Sequence, residues 1–479
     1  MSLGAAAELC EQDAITLAGL LRRGQVSARE VITAHIERIE AANPAINAIV
    51  TRTFDAALAK AAAADQALAR GEPPGLLHGL PVAHKDLIET AGVRTTYGSP
   101  LYADFVPAHD ALIVRRMAAA GAISLGKTNI PEFGAGSHTV NPVFGATRNP
   151  YDHARSAGGS SGGAGAALAA RMISLADGSD LGGSLRNPAS FNNVVGLRPS
   201  PGRVPAWPFA DVADVMGVQG PRGRTVADVA LLLAVISGPD PGVPLALDQP
   251  PPLLAGPGQV AGLLAGAGGL RGLRVAWSPD LGLPVQRDVL DTLAPARQVL
   301  ADLGGQVVDA APDLTGADEV FRTWRAFRFA TRFGSLLREH PDQLGPNVTW
   351  NTERGLELTV ADLSRVTGLQ AALAERVTRF FADVDVLACP VSQVVPFDVG
   401  LDWVHDIDGR PLDTYLDWMA SCYLISVTGL PAMSVPAGFT PGGLPVGLQL
   451  VGRRRGEWDL LRVGQAFEAA TGYGRRVPA

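Results

Sequence analysis

The chemistry available to this chain concentrates in two glycine-serine runs. Ser156-Ala157-Gly158-Gly159-Ser160-Ser161-Gly162-Gly163-Ala164-Gly165 is followed by Asp177-Gly178-Ser179-Asp180-Leu181-Gly182-Gly183-Ser184-Leu185-Arg186. Glycine at this density lets backbone approach a ligand closely, and a serine hydroxyl in such a turn is a candidate nucleophile. Flexible linkers share this composition, but they seldom sit between strand-like and helix-like runs as these do. Neither run contains a histidine, so a nucleophilic serine needs another base. Only Lys60, Lys85 and Lys127 are lysines among 40 basic residues. Because guanidinium cannot release its proton, a lysine kept in so arginine-biased a chain points to chemistry that needs a free amine. Lys60 lies on the polar side of an alanine-rich helical stretch and reads as solvated. Lys85 follows the apolar run Leu80-Pro81-Val82-Ala83 and precedes Asp86, which sets an amine at the end of a buried strand beside the cleft. Working as a neutral base near pH 7.5 asks burial to destabilise its ammonium form by ~4 kcal/mol. The plain alternative for Lys85 is an ion pair with Asp86.

Other motifs compete for the same residues. Gly158-Gly159-Ser160-Ser161-Gly162 fits G-x-S-x-G, but that nucleophile elbow needs a strand before it, and Tyr151-Asp152-His153-Ala154-Arg155 is polar. Ser124-Leu125-Gly126-Lys127 fits S-x-x-K without the S-D-N partner, so the match reads as chance. Cys10, Cys389 and Cys422 lie outside glycine-rich turns and far apart. They read as small buried hydrophobes in a reducing compartment, with no disulfide framework. No Cys/His spacing suggests a metal.

The elements that must position these residues follow from periodicity. Residues 15–70 read as helices: Ser27 and Glu30 form a capping box ahead of Ile32, Ile36 and Ile39, and Asn43-Pro44 is expected to stop the run. From Leu76 onward, short apolar runs (Leu80–Ala83, Ala122–Leu125) alternate with helical runs (Ala111–Ala120, Gly163–Arg171), an α/β pattern. Leu273–Trp277, Val384–Ala388 and Met433–Pro436 continue it as strands. No fixed-period repeat occurs. The 479 residues are 47% hydrophobic and 18% charged, enough to bury a large core, and length alone would allow about three domains. A net charge of −7 argues against a nucleic-acid or anionic-membrane surface and for a small-molecule partner. Glu8, Glu11 and Asp13 occupy the start where a signal peptide would be basic, and Gln249–Leu270 is broken by Pro and Gly, so a soluble cytoplasmic protein is expected.

Four blocks resemble the amidase signature hydrolases: Gly79-Leu80-Pro81-Val82-Ala83-His84-Lys85-Asp86, Gly126-Lys127-Thr128-Asn129, Gly158–Gly163 and Gly178–Ala189. The likeness extends through Val195–Pro199 and Arg224–Asp228 to Gly429–Ala432 and Leu444–Gln449, and is weakest over 240–420. The resemblance implies one α/β/α domain with a large mixed sheet covered by helices on both faces. Residues 1–70 would then be an N-terminal helical layer, 71–237 the core with the loops, 238–272 a Pro/Gly-rich surface segment and 273–479 the rest of the same domain. It also implies a Ser–cis-Ser–Lys triad: Ser184 as nucleophile, Ser160 on a cis peptide as bridge, Lys85 as base. Backbone N–H groups of Leu181, Gly182, Gly183 and Ser184 would form the oxyanion hole, Ser161, Asp180 and Arg186 would support the loop around the lysine, and Gly134 would touch substrate. No metal or organic cofactor is implied, and the chain would be a monomer or homodimer acting on small aryl or apolar amides, with carbamates and esters within reach. The catalytic subunit of the tRNA-dependent glutamine amidotransferase belongs to the same family, usually with Thr where Leu181 stands and Gln where Asn187 stands. His84 replaces the aliphatic residue often found before the lysine. Trp207, Phe209, Met216, Trp418, Cys422 and Tyr423 are either pocket lining or core, and each one singly reads as core.

Overall fold

The computed structural model describes residues 3–208, 212, 214–265 and 269–478. Phe209 therefore lies outside the described residues. The capping box forms as the spacing predicts, with the Glu30 amide donating to Ser27 Oγ (3.1 Å) and the Ser27 amide to Glu30 Oε2 (2.8 Å). The helix it starts, Ala28–Ile46, passes through Pro44 and ends at Asn47 in the left-handed region. The expected stop at Asn43-Pro44 is thus one turn early. Asn43 serves the next element instead. Its side chain bonds the amides of Ala48 and Ile49 and the carbonyl of Ile49, which launches a strand inside the stretch 15–70 that periodicity marks as helical.

That strand is β1 (Ile49–Arg52), the first of eleven in one sheet. The others are β2 (Pro81–Lys85), β3 (Ile123–Thr128), β4 (Leu175–Asp180), β5 (Val195–Arg198), β6 (Val218–Gly223), β7 (Arg274–Trp277), β8 (Gln306–Asp309), β9 (Val386–Pro390), β10 (Ala432–Phe439) and β11 (Pro445–Gly452). Their order is β1-β3-β2-β4-β6-β5-β10-β11-β9-β7-β8. Parallel pairs β3/β2/β4 and β9/β7/β8 flank an antiparallel centre, which makes the sheet mixed. Every residue of β2, β9 and β11 is buried, as expected for strands covered on both faces. Alternation along β9 shows the two layers directly. Val386 and Ala388 pack into a core shared with helices Ala14–Arg22, Val226–Ile236, Arg287–Asp302 and Glu457–Thr471, whereas Leu387 and Cys389 face helices Ala317–Glu339, Val360–Asp383 and Ala420–Ser426.

Met216, Trp418, Cys422 and Tyr423 are buried in core, with Trp418 only 1% exposed. Among the described residues from 238 to 265, Leu253 is 97% exposed, and Val260 and Leu264 of a short helix, Gln259–Leu264, pack into the core. No helix among the described residues is long and apolar enough to cross a membrane.

Candidate active site

Lys85 is the last residue of β2, and the strand's end delivers it into the loop cluster. Its amide donates to Asp177 Oδ1 (2.8 Å), while Asp177 Oδ2 holds His84 Nδ1 (2.6 Å). One β4 carboxylate therefore fixes the lysine's backbone and turns His84 away from it, since neighbours on a strand point to opposite faces. The Lys85 side chain is completely buried and donates from Nζ to Ser160 Oγ (2.7 Å) and Ser179 Oγ (2.9 Å). Burial drives the amine down, the Arg222 guanidinium drives it further, and Asp180 and Asp177 resist, leaving it at about 7. Asp86 does not pair with it. That carboxyl, pushed up to about 6 chiefly by burial, accepts from the amide and hydroxyl of Thr96. Lys127 is equally buried but donates to the Ile88 carbonyl, Thr90 Oγ1 and Thr95 Oγ1, so it clamps the loop after β2 and has no bond to Ser124.

Ser160 follows a cis Gly159–Ser160 peptide, in a turn held by Ser137 Oγ on the Gly159 carbonyl and Thr139 Oγ1 on the Gly158 carbonyl (both 2.7 Å). A strand does precede this turn, Asp152–Ser156, but it pairs with Arg148–Asn149 outside the large sheet, and its exposed side accounts for its polar sequence. Helix Gly162–Ala169 leads away. The Ser161 amide donates to the Ser184 carbonyl (3.3 Å), joining the two glycine-serine loops.

The second loop leaves the end of β4. Asp180 takes Arg186 on both oxygens (2.9 and 3.0 Å) and Arg198 (3.3 Å), all three fully buried. Burial alone would raise its carboxyl; the two guanidiniums and the Gly183 amide hold it well below the usual carboxylate range. Gly183 has φ +118, and a Cβ there would lie 2.6 Å from that of Cys422, so the turn requires glycine on two counts. Its N–H departs from the expected oxyanion role: it donates to Asp180 Oδ1 (2.9 Å). The amides of Leu181, Gly182 and Ser184 carry no such bond among the described residues. Ser161 supports the loop through its main chain, its hydroxyl having no hydrogen-bond partner among the described residues. Asp180 and Arg186 brace the loop without bonding Lys85. Besides Ser160, the hydroxyl that bonds it belongs to Ser179, which stands in the same motif but is not marked there by its neighbours.

Ser160, Ser179, Ser184, Leu181, Gly182 and Gly134 open together onto a cavity of about 450 Å³. Gly134 lies against Ser160, where a Cβ would sit 3.3 Å from its Oγ. One wall is aromatic: Tyr97, Phe133 and Phe333 in a row (centroids 6.2 and 4.7 Å apart), with Phe329 beyond (5.4 Å). None of these four stands out in the sequence, though Phe329 and Phe333 are four apart on the Ala317–Glu339 helix, a spacing that places two rings on one face. Trp207 instead packs against His109 (5.0 Å) and Arg115.

The Amidase family model matches residues 30–461. The chain belongs to the amidase signature family. It is 36% identical over 475 residues to an acylamidase of Rhodococcus erythropolis, covering 97% of each chain. It is 38% identical over 495 residues to the A subunit of the glutamyl-tRNA(Gln) amidotransferase of Moorella thermoacetica, covering 98% of this chain and 99% of that one. Among solved structures, a bacterial aryl acylamidase of the amidase signature family superposes with a TM-score of 0.87 at 30% identity, 96% of each chain being covered. The eleven-stranded mixed sheet with helices on both faces is the fold of this amidase-signature protein, and C–N bond hydrolysis is its reaction class.

Proposed function

We propose that this amidase-family chain cleaves small aryl or apolar amides through an acyl-enzyme on Ser184. The observation that carries the reading is the fully buried Lys85 amine, brought to about 7, donating to Ser160 Oγ at 2.7 Å in the cavity onto which Ser184 opens. Neutral Lys85 takes the Ser160 proton while Ser160 takes that of Ser184, whose oxygen attacks the substrate carbonyl. The oxyanion that forms meets the amides of Leu181, Gly182 and Ser184, whose glycine neighbours leave room for it. The proton returns along the same relay to the departing nitrogen, the amine leaves, and water attacks the acyl-enzyme by the same path to release the acid. Each step balances with the substrate and water alone.

The aromatic wall of Tyr97, Phe133, Phe329 and Phe333 supports a flat apolar group on the substrate. A second reading, the catalytic subunit of a glutamine amidotransferase, rests on the amidotransferase relatives, whose identity is as high as that of the acylamidase. The experiment that separates them is hydrolysis by the purified chain of a panel of 4-nitroanilides, aliphatic amides and aryl carbamates. Hydrolysis of the anilides unaided supports the first reading. Inertness on the whole panel, with glutaminase activity gained on adding the other amidotransferase subunits, establishes the second.

A further inference from the structure

Arg222 of β6 is completely buried, and its guanidinium is nearly unpartnered. Nη1 donates to the Ser161 carbonyl, whereas Nε and Nη2 are buried with no hydrogen-bond partner among the described residues. A guanidinium brings five N–H donors, and leaving them dry in the interior carries a heavy desolvation penalty that an apolar side chain of the same volume would avoid. The fold makes room for it all the same: a Cβ on Gly165 would lie 2.8 Å from Arg222 Nη2.

The sheet register says where that charge sits. Arg222 lies opposite Ala176 of β4, which lies opposite Ala83 of β2. Lys85 is two residues beyond Ala83, so strand alternation puts Lys85 and Arg222 on the same face, two strands and about 12 Å apart in backbone. The ionisable groups around Lys85 are His84 and Asp86 beside it in the chain, Lys127 on β3, Asp177 and Asp180 on β4, and Arg222 on β6; Asp86 is engaged by Thr96, and Lys127 by Ile88, Thr90 and Thr95. Asp177 is engaged by His84 and the Lys85 amide, and Asp180 by Arg186 and Arg198. On the β4 and β6 side, a protonated Lys85 would join Arg186, Arg198 and Arg222, three buried cations, against Asp177 and Asp180.

We propose that Arg222 is a positioning residue for amide cleavage, fixing the Ser160–Ser161 turn through the Ser161 carbonyl and, through its buried charge, keeping the Lys85 amine free to accept a proton. This rests on the reading of Lys85 as base. Arg222 is the largest influence on that amine after burial itself. Removing its charge makes the ammonium form easier to hold, so the pH at which the amine becomes free rises.

The test is the pH dependence of kcat/KM on a 4-nitroanilide, between pH 5.5 and 9.5, for the parent chain, Arg222→Met and Arg222→Lys, with thermal unfolding to confirm the fold. Arg222→Met is expected to move the rising limb upward by about one pH unit, roughly tenfold less activity at pH 6.5, with much of the loss recovered on the alkaline plateau. Arg222→Lys keeps a cation only while its own buried amine stays protonated, so its limb should fall between the parent's and that of Arg222→Met. If Arg222→Met does not fold, Arg222→Gln, which still donates to the Ser161 carbonyl, makes the same comparison. A limb unmoved in a folded, uncharged variant, or moved equally in Arg222→Lys, overturns the proposal. A parent chain inert on every amide would instead overturn the amide-cleaving reading on which it rests.

Discussion

At the scale of residues, the proposed mechanism rests on one amine and two hydroxyls whose roles differ in ways that can be measured. Because Lys85 must be neutral to accept a proton and its amine stands at about 7, kcat/KM should rise with pH through that region and be lost below it. Lys85→Arg retains the charge but cannot serve as base, so it and Lys85→Ala should both fall by about 10²–10⁴-fold on a nitroanilide, while Lys60→Arg, exposed on its helix, should be silent. Activity surviving in Lys85→Arg would show that charge and not proton transfer matters. The serines separate by labelling. A fluorophosphonate should modify Ser184 alone, Ser184→Ala should abolish the adduct, and Ser160→Ala should only slow it, since the attacking oxygen and its amide donors remain. Mass spectrometry placing the adduct on Ser160 would reverse the assignment.

At the scale of elements, the loops are precise because rigid pieces hold both ends. Arg186 reaches from the second loop to Asp180, to Gln449 of β11 (2.6 Å) and to Ser426 (2.7 Å), so three separate segments converge on one guanidinium. Gly183 leaves no room for a side chain. Gly183→Ala meets both positive φ and the Cys422 side chain, and should cost more than about 100-fold in kcat/KM while the protein stays folded. Activity near the parent's in that variant would mean the loop is free to relax. Elsewhere an element boundary carries stability alone. Asp228 caps the Val226–Ile236 helix through Thr225 and also accepts the Ala14 amide (2.8 Å), docking the start of helix Ala14–Arg22. Asp228→Ala should therefore lower stability by about 1–3 kcal/mol in thermal or urea unfolding, with kcat unchanged below the transition.

At the scale of the whole molecule, strands from both halves of the sequence share one sheet, so the site is assembled across the chain. β2 brings Lys85, β4 brings the Asp180 loop, and the later strand β11 with helix Ala420–Ser426 closes the far side of Arg186. The proposed chemistry draws only on residues of this one chain, its substrate and water. The purified chain should therefore hydrolyse a nitroanilide at a rate proportional to its own concentration, and the other amidotransferase subunits should leave that rate unaltered. A rate that appears only on their addition would refute stand-alone action.

Much of this was legible before folding because it depends on local chemistry. A glycine-serine density of this kind has few uses, a lone lysine after a buried apolar run is marked by its neighbours, and Ser27 with Glu30 starts a helix through contacts three residues apart. Strand segments such as Val384–Ala388 were visible for the same reason. What the tertiary structure decided are the contacts that join distant segments. Ser179 reaches Lys85 across 94 residues, and Phe133 meets Phe333 from the other half of the chain. β1 was hidden inside a helical stretch because its partner is β3, far along the sequence. Gly183 turned its amide to Asp180 because the carboxylate that Arg186 and Arg198 neutralise sits within reach only in the folded loop. Arg222 looks in the sequence like one more arginine of an arginine-rich chain; only the sheet register sets its charge on the lysine's face, because burial and pairing between distant strands are properties that no single stretch of sequence possesses.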